Sequence, residues 1–207
     1  MTGQILSLRD IFNGPWAGLG TALREGLPVP RGFVVPPGAK ESDIREAYDD
    51  LKILEHTHYV AVRAPARVEI EVIGNDQVIY SLRRIRDEFA DADVLVQSMV
   101  NAGWCGKASW EGKNIRIRAS EGLQCLDPDM YLFNPASGKC TRRTLYQRPR
   151  KVFRGVDGTT KTMEIVGERR PLELKYVQAV ADLAKQTKTE ITWALDHRRV
   201  WLISTFS

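Results

Sequence analysis

The sequence predicts an α+β protein of two lobes, on three observations. The first half mixes helix-spaced and strand-spaced apolar residues, the second breaks into short strands between turns, and the end pairs a helix with a hairpin. Asn13-Gly14 reads as a turn and Pro15 as a first helical residue, with Leu19, Ala22 and Leu23 on one face and Gly26 as the stop. Leu27 to Val35 (LPVPRGFVV) reads as extended, because each proline forces extended geometry on its neighbour. A second helix is expected from Ser42, as its cap, to Leu54, with Ile44, Tyr48 and Leu51 facing inward. His58 to Arg63 alternates as a strand does, Val68 to Ile73 is another, and Gly74-Asn75-Asp76 ends it. Val78, Leu82, Ile85 and Phe89 then mark an amphipathic helix.

Val94 to Met99 opens the second half. Strands are expected around Lys107–Trp110, Asn114–Ala119, Met130–Phe133, Thr141–Tyr146 and Lys161–Val166. A helix from Leu172 to Gln186 places Leu174, Val177, Ala181 and Ala184 on one face. A hairpin of Glu190–Leu195 and Val200–Ser204 closes the chain. The expected lobes are 1–93 and 94–207. No proline- or serine-rich linker separates them, so they are expected to pack as one compact unit.

Composition excludes several classes. A hydrophobic fraction of 43% and a charged fraction of 27% fit a globular chain rather than a disordered one. No run approaches the ~20 apolar residues of a membrane helix, so no membrane partner is expected. The opening MTGQILSLRD has no basic start followed by an apolar run, so no secretory signal is expected. Cys105, Cys125 and Cys140 are widely spaced and odd in number, which points away from disulfides or zinc and towards a reducing cytoplasm. The net charge of +4 is modest but uneven. Arg142, Arg143, Arg148, Arg150, Lys151 and Arg154 run without an acid, interleaved with Tyr146 and Phe153. Such a run can follow a nucleic-acid backbone, meet an anionic cofactor or form a solvated hairpin face. Nucleic acid is the least supported partner, since this one run is its whole basis.

Four segments, in order along nearly the whole chain, resemble the amino-terminal ATP-binding domain of pyruvate phosphate dikinases and phosphoenolpyruvate synthases. Leu23–Val35 (LREGLPVPRGFVV) is similar to that family's opening segment, and Tyr59–Arg63 (YVAVR) to its V-A-V-R strand. Val94–Val100 (VLVQSMV) resembles its V-L-V-Q-x-M-V, and Glu190–Leu202 (EITWALDHRRVWL) its closing hairpin. Glu121-Gly122-Leu123 and Pro128–Tyr131 are weaker echoes. The resemblance implies an ATP-grasp-like fold: two small lobes around a cleft, with mixed and antiparallel sheets and a carboxy-terminal helix and hairpin. It also implies ATP and magnesium as cofactors.

The departures concern the chemistry. Where the family has a G-G-K-G loop whose lysine reaches the nucleotide phosphates, this chain reads Asn13-Gly14-Pro15-Trp16. Pro15 falls at the lysine and offers neither a charge nor an N–H. After Arg63 the family's phosphate loop is replaced by Ala64-Pro65-Ala66-Arg67, leading almost directly into the next strand. The D-x-E of the closing hairpin becomes Glu190-x-Thr192, and the following Q-A-R-P becomes Ser204–Ser207. The family's full enzymes pass phosphate through a histidine on a swivelling domain to a third domain. A chain of 207 residues is not expected to interconvert pyruvate and phosphoenolpyruvate alone.

Phosphoryl transfer needs cations on the phosphates and carboxylates on magnesium. Residues 190 and 192 share one strand face, with Ile191, Trp193 and Leu195 on the other, so Glu190 is the candidate magnesium ligand. Asp196 opens the hairpin loop and is expected to shape the turn. Arg63, at a strand end, is the candidate phosphate contact, against pairing with a surface carboxylate. Placed on a cleft, it would contribute through its charge, and its loss should spare folding. Arg67 stands in for the absent lysine if its loop folds back. Gln97 shares a face with Met99; Met99 is assigned to core packing, and Gln97 to either adenine contact or a structural hydrogen bond. His56, His58 and His197 lack metal spacing and sit beside turns. The expected function is a nucleotide-binding domain with weak or absent phosphotransfer, or else an inactive interaction module with a protein partner.

Overall fold

A computed structural model describes residues 3–65, 67–146, 150–155, 159–165 and 171–206. Ala66, Arg148, Val166 and Ser207, all part of the sequence reading, lie outside the described residues. The chain divides into two compact units, Met1–Gly26 with Pro30–Met99, and Leu27–Val29 with Val100–Ser207. The sequence reading drew its line before Val94.

The first unit runs β1 (Leu6–Ser7), a 3-10 turn (Leu8–Asp10), α1 (Ala17–Arg24), β2 (Gly32–Val35) and α2 (Glu41–Glu55). It continues with β3 (Tyr59–Ala64), β4 (Arg67–Ile73), α3 (Asn75–Glu88) and β5 (Val94–Ser98). The strands form an antiparallel sheet in the order β1-β2-β5-β3-β4. The last strand in sequence therefore lies in the middle, and all five of its residues are buried. The helical spacings are realised: Ile44, Tyr48 and Leu51 of α2 and Val78, Leu82 and Ile85 of α3 share a core with Val60, Val62, Val94 and Val96. Tyr48 adds two tertiary bonds, donating its hydroxyl to the His58 carbonyl at 2.7 Å and accepting from Gly74 N–H at 2.8 Å.

Two local expectations are corrected. Helix α1 starts at Ala17, because Trp16 takes the N-cap place with its indole N–H bonded to the Asp93 carbonyl, leaving Pro15 in the preceding turn. Ser42 does not cap α2, whose N-cap is Lys40; its hydroxyl bonds the Asp43 side chain inside the first turn instead.

The second unit contains β6 (Trp104–Glu111), β7 (Asn114–Glu121), β8 (Asp129–Asn134), β9 (Lys139–Thr144), β10 (Arg150–Arg154) and β11 (Thr160–Glu164). Helix α4 (Leu174–Thr187), β12 (Glu190–Leu195) and β13 (Val200–Phe206) follow. Six strands form an antiparallel sheet ordered β13-β12-β6-β7-β8-β9, and β10 pairs with β11 as a separate ribbon. The ribbon approaches the sheet at Gly122, where a side chain could not fit: an added Cβ would lie 2.0 Å from the Val152 carbonyl oxygen. Gly122–Val152 is also the one parallel bridge among the described residues. Helix α4 packs on β6, β7, β8, β12 and β13. Its buried stripe is Val177, Val180, Ala181, Leu183 and Ala184, whereas Leu174, expected on that stripe, is 60% exposed in the first turn. In the sheet Ala108, Ile115, Ile117, Tyr131, Ile191 and Trp193 are buried, and the alternation of a strand sends Lys107, Arg116, Arg118 and Thr192 to the opposite face.

Candidate functional site

Strand pairing decides the surroundings of Arg63. In β3 it stands opposite Leu95 of β5, two residues before Gln97. Its guanidinium donates from Nη1 to Gln97 Oε1 at 3.0 Å, and Gln97 Nε2 donates to the Pro30 carbonyl at 3.1 Å. The Trp16 ring centre lies 6.0 Å from the guanidinium carbon, within cation–π range. Arg63 is only 8% exposed and Gln97 2%. Burial pushes the Arg63 pKa down to about 10, since the charged form loses its hydration. The expected open setting of Arg63 is corrected by this burial; truncating the side chain would leave a void and take a donor from Gln97. The Trp16 that follows Pro15 supplies the ring beside Arg63.

Arg67 is held by carboxylates. It bonds Glu69 at 3.1 Å and Glu88 of α3, and Glu69 also pairs with Arg84 at 3.6 Å. The expected stand-in for the missing lysine is thus part of a network between β4 and α3.

Glu190 lies in the second unit, half-buried, with Lys107 Nζ 3.2 Å from its Oε1. Lys107 stands directly opposite Thr192 on one side and Arg118 on the other. Arg118 faces Met130, which faces Thr144; the next row runs Ser109, Arg116, Leu132, Arg142. Arg116 forms a two-point ion pair with Glu111. Among the described residues of this face, opposite the one α4 covers, Lys107, Arg116, Arg118 and Arg142 outnumber Glu111 and Glu190. A recess of about 240 Å3 lined by Arg116, Met130, Leu132, Arg142, Thr144 and Tyr146 lies on the same side.

The sequence reading missed Lys107, Arg116 and Arg118. A signal for two of them exists, since the tight turn Gly112-Lys113 between Glu111 and Asn114 fixes a register that sets Lys107 opposite Arg118.

The donor set is a poor fit to magnesium. Glu190 is a single carboxylate, it is already bonded to a lysine, and its neighbour Thr192 is neutral. No group of three His, Cys, Asp or Glu that could hold a metal occurs among the described residues.

The remaining candidates separate. Asp196 shapes the turn as expected: Oδ1 accepts from the N–H groups of Arg198 and Arg199 at 3.0 and 2.9 Å, and Oδ2 from the Trp201 indole at 2.8 Å. Partial burial raises its pKa, but these donors outweigh that and hold it below the usual carboxylate value. Among its described residues the basic run is split between elements. Arg142 lies beside Leu132, while Arg143 lies beside Tyr131 with its guanidinium 5.9 Å from the ring; Lys151 and Arg154 belong to the separate ribbon. His56, His58 and His197 are exposed. Cys105, Cys125 and Cys140 are free thiols, and burial pushes the Cys105 pKa up.

No family model matches the chain, and no curated protein does. Solved structures do. Over 91% of its length the chain superposes on D-alanine–D-alanine ligase from Bacillus anthracis, at 15% identity and a TM-score of 0.50. The same ligase complexed with ATP gives 14% identity over 91% of the chain and a TM-score of 0.51. In both cases the chain spans 53% of the ligase, about half its length. This likeness, with the antiparallel sheets and helices described above, shows the fold. It is α+β and ATP-grasp-like. Among the described residues no helix is long and apolar enough to cross a membrane.

Proposed function

We propose that this chain is a nucleotide-binding domain, with ATP as its ligand and phosphotransfer slow or absent. The observation that carries this reading is the fold match over 91% of the chain to a ligase solved with ATP. The four ordered segment resemblances support a finer origin, the ATP-binding domain of the phosphoenolpyruvate synthase and pyruvate phosphate dikinase family. Support for weak chemistry is local. Pro15 replaces a phosphate-binding lysine, and removing one well-placed donor to a developing charge costs about 10²–10³ in rate. Among the described residues magnesium would have Glu190 as its one carboxylate ligand here, and would have to compete with Lys107 for it. A reducing cytoplasmic setting belongs to the same reading, and the three free thiols are compatible with it.

One observation favours a second reading, an inactive interaction module. Arg63, assigned to the phosphates, is buried and hydrogen-bonded to Gln97 as a structural residue would be. Calorimetric titration of the purified chain with ATP, alongside a turnover assay, separates the two. Binding with turnover far below the ~1–100 per second of ordinary kinases supports the nucleotide reading. No heat of binding at millimolar ATP transfers the case to the interaction module.

A further inference from the structure

The open face of the six-stranded sheet contains an arrangement that sheets ordinarily avoid. Lys107 and Arg118 stand directly opposite each other in neighbouring strands. Like charges in that position repel across roughly 5 Å between β-carbons and destabilise the pair. Glu190 offsets one of them through its 3.2 Å contact with Lys107. In the adjoining row Glu111 is occupied by Arg116. Among the described residues no acid pairs with Arg118, and Thr192, directly across from Lys107, offers a hydroxyl rather than a further acid.

We propose that Lys107 and Arg118 form a polyphosphate-binding site that works without a divalent metal, with Lys107 exchanging Glu190 for the phosphate oxygens of the ligand. This rests on the nucleotide reading and deepens it, by assigning the countercharge to two side chains rather than to magnesium. A dication placed at Glu190 would have to displace Lys107 and then sit beside both Lys107 and Arg118, where Coulomb repulsion opposes it. A polyanion in the same place meets two cations, relieves their mutual repulsion, and gains charge-assisted hydrogen bonds from both. Glu190 acts in this scheme as a competitor of the ligand, holding Lys107 while the site is empty of phosphate. No bond is made or broken.

The role of Glu190 can be tested by the sign of one effect. ATP and, separately, inorganic tripolyphosphate are titrated into the full chain in EDTA and again in excess magnesium. Wild type, Lys107→Ala, Arg118→Ala and Glu190→Gln are compared, with circular dichroism confirming that each variant is folded. The expected result is ATP binding in EDTA at least as tight as in magnesium, weakened about tenfold by Lys107→Ala or Arg118→Ala. Glu190→Gln should bind more tightly, because it removes a carboxylate that holds Lys107 and repels the phosphates. ATP binding that requires magnesium and is weakened by Glu190→Gln overturns the proposal while leaving the nucleotide reading intact. Tripolyphosphate binding that depends on Lys107, without ATP binding, keeps the anion site and removes the nucleotide reading. Absence of binding by either ligand in EDTA overturns the site.

Discussion

In the amino-terminal unit the cation that the sequence singled out, Arg63, is enclosed: a glutamine accepts from it, a tryptophan ring stands beside it, and water is nearly excluded. In the carboxy-terminal unit the cations that the sequence reading passed over, Lys107 and Arg118, stand on an open sheet face, opposite each other. Both settings hold positive charge, but they use it differently. A buried guanidinium with a neutral partner is a structural element whose charge costs hydration. Like charges set directly opposite each other on an exposed face add nothing to the fold through their mutual contact. Matching an arginine to a family motif identifies a residue type at a strand position. It does not establish that the side chain can be reached.

The widest separation between the two settings should appear in unfolding stability. Arg63→Ala is expected to cost about 3 kcal/mol, combining a buried void with an unsatisfied Gln97 oxygen. Urea denaturation monitored by circular dichroism measures this. Arg63→Met, which keeps most of the volume, should recover part of the loss. A cost below about 1 kcal/mol for the alanine variant would mean that the site relaxes open, and that Arg63 belongs with Lys107 after all.

The titration of Arg63 sharpens the same point. Its folded-state pKa of about 10 lies below the ordinary arginine value because burial disfavours the charge. Between those values the unfolded chain holds more protons on this group than the folded one. Stability from Arg63 therefore rises as pH climbs through that window, and below about pH 10 the cost of the buried charge is fully present. Comparing wild type with Arg63→Met cancels the other titrating groups. The difference should be flat below pH 10 and then shift in favour of wild type. A difference that stays flat to pH 11.5 would show the guanidinium to be hydrated.

Much of this fold was legible in local patterns. Ile44, Tyr48 and Leu51, or Val78, Leu82 and Ile85, repeat at helical spacing and are buried on that spacing. Asp196, opening a short hairpin loop, was assigned to the turn and accepts three hydrogen bonds there. Sheet order was not legible, because nothing local to Val94–Ser98 says that it lies between β2 and β3. The burial of Arg63 follows from that placement. Lys107 and Glu190 are 83 residues apart and meet only once β12 lies against β6. Leu174 shows the limit of periodicity itself, since it keeps the helical spacing yet lies exposed in the first turn.

A smaller effect is expected at Asp196. Replacement by alanine removes acceptors for two backbone N–H groups and the Trp201 indole, and should cost about 1–2 kcal/mol. Its lowered pKa means that this contribution is present above pH 3.8 and is lost as pH falls through the folded value beneath it. Acid titration of stability should therefore show wild type and Asp196→Ala converging below pH 3.8. Curves that stay parallel would assign the turn to backbone geometry alone.

The smallest effect, and the one with the opposite sign, belongs to Arg118. Its side chain is exposed, and its direct cross-strand neighbour is the like-charged Lys107. Arg118→Ala should leave stability unchanged or raise it by about 0.5 kcal/mol, the scale of a cross-strand pair. Part of any gain should vanish in high salt, because exposed charges are screened over about 10 Å at 0.1 M ionic strength. Melting curves of wild type and variant at 20 mM and 500 mM sodium chloride read both quantities. The hydrocarbon stem of Arg118 sets the main opposing effect, since it can cover neighbouring Met130 and lose that contact on truncation. Arg118→Gln keeps most of the stem and removes the charge, so it isolates repulsion from packing. If the glutamine variant is no more stable than wild type at low salt, the two cations do not repel measurably. The open face would then carry charge at no cost, and the contrast with Arg63 would reduce to burial alone.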